Sequence, residues 1–169
     1  MKRGPARLRR MLRIPQEYVA VIPIGQRLFS PIFQFENGLR LAVHKFLSEC
    51  YGDKWWEASL RTRLPNVYRY AEDMKAKRDL MPWIGSSTSV EILPIHLITL
   101  GQLESIVVGY KSECIPDLFP TLDFFSGHME IIKRVRNLYA HMVPCLTPKD
   151  ERVARREMLT LCEHVNAKL

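Results

Sequence analysis

The 169-residue chain has no uninterrupted apolar run long enough to cross a bilayer, so no membrane partner is expected. Cysteine is scarce. Cys50, Cys114, Cys145 and Cys162 include no CxxC pair, and a chain of this size does not depend on disulfide staples. Cys50 and Cys162 fall within apolar helical patterns and read as small buried hydrophobes, which fits a reducing, cytoplasmic setting. Ser86 to Ser89 lacks the flanking glycines and lysine of a phosphate-cradling loop and reads as a linker. His44, His96, His128 and His164 have no companion at metal-ligand spacing, and Cys162-Glu163-His164 is too tight for a zinc half-site. Neither a metal nor a cofactor is therefore expected. Alternation of apolar and polar residues is also scarce, which argues against a sheet.

Acidic residues are missing from one stretch. The first 14 residues carry Lys2, Arg3, Arg7, Arg9, Arg10 and Arg13 with no acid among them. The whole chain has a net charge of +7; without those six, 19 basic residues face 18 acidic ones, a net charge of +1. The body is nearly neutral and the basic character is an arm. Such an arm either attracts phosphate backbones or solubilises the chain. It also resembles an organellar transit start, whereas the apolar stretch from Tyr18 to Ile24 is short and contains Pro23, unlike a secretory signal.

Hydrophobic residues make up 47% of the chain, enough for one packed core. Pro15, Pro23 and Pro31 predict that residues 1–32 are a basic arm and irregular lead-in to a helical domain over 33–169. From Gln34, Leu39, Val43, Phe46 and Leu47 recur at helical spacing up to Tyr51-Gly52-Asp53, where Gly52 supplies a left-handed end. Trp55 and Trp56 read as core anchors, with base stacking as the alternative. Further helices are predicted over Val67–Arg78, from Pro94 to Tyr110, from Thr121 or Asp123 to a stop before Pro144, and from a Thr147 cap to about residue 166. The fold class is all-α, a bundle of four to five helices.

One segment brings chemistry together: Lys133-Arg134-Val135-Arg136-Asn137-Leu138-Tyr139-Ala140-His141. Arginine offers phosphate a fixed fork of donors, and histidine moves protons near neutrality. If RNA supplies its own 2′-hydroxyl as nucleophile, no metal ligand is needed. Arg136, Asn137 and His141 are the candidate catalytic residues, with Arg134 and Lys133 as candidate RNA contacts. The plain alternative is a helix C-terminus whose cations complement the dipole. On an unbroken helix Arg136 and His141 stand about 140° apart, so a shared cleft needs an early helix end or a second subunit. Glu36 and Arg40, at i and i+4, read as a surface pair, with a place near the cleft as the alternative.

Arg136-Asn137 followed by His141 after four intervening residues resembles the signature of the HEPN (higher eukaryotes and prokaryotes nucleotide-binding) domains. Arg134 to His141, with six between, fits the same pattern. The likeness extends to Phe35-Glu36-Asn37-Gly38-Leu39-Arg40, to Tyr51 through Trp56, and to Pro94 through Leu103, covering about residues 33–165. The resemblance implies a helical homodimer whose two signatures form one RNA-cleaving cleft. It further implies metal-independent endoribonuclease activity in toxin–antitoxin, phage-defence or RNA-processing systems, with an antitoxin or defence partner protein. By the same resemblance His141 is the acid/base group, Arg136 stabilises the phosphorane, and Asn137 orients phosphate or histidine. Some related toxins carry a modifiable tyrosine two residues after the histidine. Val143 stands there in this chain, so the likeness does not extend to that control.

Overall fold

A computed structural model of the chain describes residues 16–80, 92–141 and 145–166. The basic arm, the Ser86–Ser89 linker, Val143 and Pro144 lie outside these residues. The chain is an all-α helical bundle. Among the described residues, five helices have ten residues or more: α1 (Gln16–Tyr51), α2 (Pro65–Asp79), α3 (Leu100–Gly109), α4 (Leu122–Ala140) and α5 (Pro148–Asn166). No helix among the described residues is long and apolar enough to cross a membrane.

The expected irregular lead-in is corrected. α1 starts at Gln16 and runs 36 residues with Pro23 and Pro31 inside it. Each interior proline costs about 3 kcal/mol. Against that, Ile24, Leu28, Ile32 and Phe35 continue the buried stripe of Leu39, Val43 and Leu47 toward the N-terminus. Each such side chain contributes about 1.5–3 kcal/mol when fully buried. Proline at 31 cannot donate to the Arg27 carbonyl four residues back, and Arg155 of α5 donates to that oxygen instead, Nη2 to O 2.6 Å. Glu151 links the two, bound by Arg27 at 2.7 Å and by Arg155 at 3.2 Å. Gly52 ends α1 with φ +81°, as its sequence position predicts. Cys50 is exposed rather than buried, because the core stripe ends at Leu47 and the last turn faces solvent.

Trp55 and Trp56 are buried and meet edge to face, with Trp55 Nε1 donating to His44 Nδ1 at 3.1 Å. The helix expected from Pro94 to Tyr110 is split. Pro94–Leu97 forms a single tight turn, Ile98 is extended, and α3 starts afresh after Thr99. Thr99 and Gln102 cap each other reciprocally at 2.8 and 3.2 Å, which makes Thr99 a starting point rather than a mid-helix residue. α4 starts at a Thr121 cap and buries Phe125, Met129, Ile132 and Val135; Tyr139 is half-buried. α5 packs along α4 and also against α1.

Candidate functional site

The last turns of α4 meet the broken start of α3 and the middle of α1. The split at Thr99 leaves the first backbone N–H groups of α3, at Leu100 and Gly101, without helical acceptors. Together with Thr99, Lys133, Arg136 and Asn137, these two residues line a groove of about 390 Å³. A groove edged by arginine, lysine, an amide and a helix start suits an anion of phosphate type.

Arg136 is held from behind. Its Nε donates to Glu36 Oε1 at 2.8 Å, and the second oxygen of Glu36 accepts from Arg40 Nη2 at 3.1 Å. The same Arg40 nitrogen donates to the Ile98 carbonyl at 3.1 Å, which ties α1 to the strand-like step before α3. Glu36 and Arg40 are 8% and 6% exposed. They are therefore a buried bridge and not a surface pair, which corrects the expectation drawn from their spacing. Arg40 Nε has no partner among the described residues. Glu36 uses one guanidinium edge of Arg136, and the outer Nη groups have no acceptor among the described residues. Lys133 is paired with Glu104. His96, behind Arg40, is held below its ordinary range by burial first and then by the charges of Arg40 and His44. Its Nδ1 accepts from the Leu93 N–H at 3.1 Å.

Arg136 and Asn137 thus come together in the groove, with Lys133. His141 does not join them within one chain. α4 stays helical to Ala140, and His141 caps it with φ −89° and ψ 7°, its N–H reaching Asn137 O at 2.9 Å. The early helix end that would turn His141 toward Arg136 is absent, so the two remain about 140° apart. The His141 side chain is exposed and has no hydrogen-bond partner among the described residues. Arg134 is also exposed and stands about 200° around the helix from Arg136, on the His141 side. It faces the start of α5, where it adds a small lowering to Asp150, whose carboxyl is held down mainly by hydrogen bonds from Thr147. Lys133 and Arg134 therefore do not form one patch.

Among the described residues, no three His, Cys, Asp or Glu side chains are grouped to hold a metal ion. No family model, curated protein or solved structure matches the chain.

Proposed function

We propose that the chain is an endoribonuclease of HEPN type whose cleft is completed by a second copy, Arg136 of one chain working with His141 of the other. The observation that carries this is the groove in which Arg136, with its outer edge open and its inner edge fixed by Glu36, lies beside Asn137, Lys133 and the open N–H groups of α3. In that place Arg136 and the α3 N–H groups bind the non-bridging oxygens of a phosphodiester, and Asn137 orients it. His141 from the second copy takes the 2′-hydroxyl proton as the 2′-oxygen attacks phosphorus. A proton is returned to the leaving 5′-oxygen, giving a 2′,3′-cyclic phosphate and a 5′-hydroxyl. The chemistry is metal-independent because the nucleophile belongs to the RNA. An antitoxin or defence partner protein fits this function as its restraint.

A second assignment, a dimerisation or RNA-binding module without turnover, is favoured by one observation: His141 has no orienting partner among the described residues. The two separate in a simple assay. Purified chain is incubated with single-stranded RNA in EDTA beside Arg136→Ala and His141→Ala. Cleavage by the wild type alone supports the enzyme, RNA binding without cleavage supports the module, and equal cleavage by all three removes this site.

A further inference from the structure

We infer that Phe29 and Phe33 on α1 form a stacking ledge for unpaired RNA bases beside the Arg136 groove. The two rings stack on one another with centroids 6.1 Å apart and planes 24° from parallel. They are 56% and 59% exposed on a helix whose other large side chains are mostly packed. Along α1 they lie between two points that touch the end of α4. Gly25, four residues before Phe29, backs onto the Tyr139 ring, where an added Cβ would sit 3.4 Å from Cε2. Glu36, three residues after Phe33, holds Arg136. At about 1.5 Å of rise per residue, the ledge begins within one helical turn of the guanidinium's anchor.

The surroundings of the rings fit nucleic acid better than another protein surface. From residue 19 to residue 48 the one acidic residue is Glu36, which is buried, and Glu151 of α5, which reaches this stretch at Arg27, is buried and neutralised by Arg27 and Arg155. The rings are bordered by Gln26, Ser30, Gln34 and Asn37, whose amides and hydroxyl suit base edges. Asn37 and Gln34 each already make one bond within the helix, to the Phe33 carbonyl and to Ser30 Oγ, and retain further donors and acceptors. Aromatic rings take any base by its face, so the ledge gives affinity without sequence choice. The inference rests on the preceding proposal only in that RNA is the ligand; it does not require cleavage.

The test uses the full chain carrying His141→Ala, so that binding is read whether or not the wild type is a nuclease. A fluorescent 12-nucleotide RNA containing 2-aminopurine is titrated against this protein and against its Phe29→Ala, Phe33→Ala and double variants. Stacking predicts quenching of 2-aminopurine and affinity reduced by at least about fivefold for each ring removed. An abasic RNA loses affinity on the parent protein and loses little more on the double variant, because both changes remove the same contact. Circular dichroism confirms that the variants fold, and sedimentation reports their oligomeric state. Unchanged RNA affinity in the double variant, no RNA binding by the parent, or dissociation of a dimer with RNA affinity intact would each overturn the ledge.

Discussion

The end of α4 has two unlike sides. On the groove side, Arg136 is fixed by a buried carboxylate that is itself fixed by Arg40, and it faces open donors from α3. On the solvent side, His141 and Arg134 stand exposed. The same helix shows what an oriented histidine looks like: His128 shares a 2.5 Å hydrogen bond with buried Glu157 of α5. His141 has no such neighbour among the described residues. Under the proposed function, one chain builds the phosphate-holding half of a site and leaves the proton-moving half for a second copy to complete; what the structure itself shows is one fixed side and one exposed side. Catalytic acids and bases need a fixed geometry relative to the reacting atoms, and a free surface imidazole does not supply it.

The largest expected effects come from emptying either half. His141→Ala lowers kcat by about 10²–10⁴-fold, the range for loss of a general acid–base group. Arg136→Ala lowers it by about 10²–10³-fold, as for loss of one charge-stabilising donor. Single-turnover kinetics on one RNA measures both. Similar, small losses from the two variants would dissolve the contrast between the sides.

Next comes the bridge behind Arg136. Glu36→Leu leaves Arg40 buried with only the Ile98 carbonyl among the described residues, so stability falls by about 3 kcal/mol, within the range for breaking a buried pair. Cleavage falls by about tenfold as Arg136 loosens. Glu36→Leu combined with Arg40→Met recovers most of the stability, because an apolar pair replaces an ionic one, while cleavage stays low. Urea melts and rates on the same samples separate the two effects. Recovery of both would make the bridge purely structural.

Much of this was legible in the sequence, and the failures have physical causes. Helix ends announced themselves through Gly52, Thr121 and Thr147, since capping is local chemistry. Pro23 and Pro31 misled because proline's cost is local, whereas the compensation by Ile24, Leu28 and Arg155 is tertiary. Glu36 and Arg40 carried a signal that was misread. Their i, i+4 spacing marks a pair on any helix, but only the packing of α4 and Ile98 over that flank buries it. Lys133 shares the groove with Arg136 and Asn137 because they stand three and four residues further along the helix, whereas Arg136 and Asn137 themselves are about 100° apart and both reach the groove only because it is wide. The break at Thr99 that supplies the groove's far wall depends on a Thr–Gln capping pair inside an otherwise continuous apolar pattern.

A smaller effect concerns the layer behind the groove. His96 is neutral-favouring in the fold, and its Nδ1 accepts the Leu93 N–H, a bond that protonation at Nδ1 removes. Its folded pKa lies below the unfolded value, so the unfolded chain binds the extra proton first. Stability is therefore full above about pH 6.5 and declines as pH falls below it. Thermal melts from pH 7.5 to 5 should show this decline, reduced in His96→Gln. A parallel decline in both proteins would assign it to other groups.

The smallest effect is expected from Arg134→Ala. Standing away from the groove, Arg134 contributes at most one phosphate contact, so the salt slope of RNA binding changes by about one and the cleavage step is unaffected. A loss of kcat comparable to that of Arg136→Ala would move the catalytic arginine to the solvent side.

The most direct measurement mixes two dead proteins. Arg136→Ala and His141→Ala chains are co-refolded and assayed on RNA beside each variant alone. A cleft shared between chains predicts that mixed dimers keep one intact pairing, so about a quarter of wild-type activity returns when partners pair at random. A mixture that forms dimers yet stays as inactive as its components would contradict a site built from Arg136 of one chain and His141 of another.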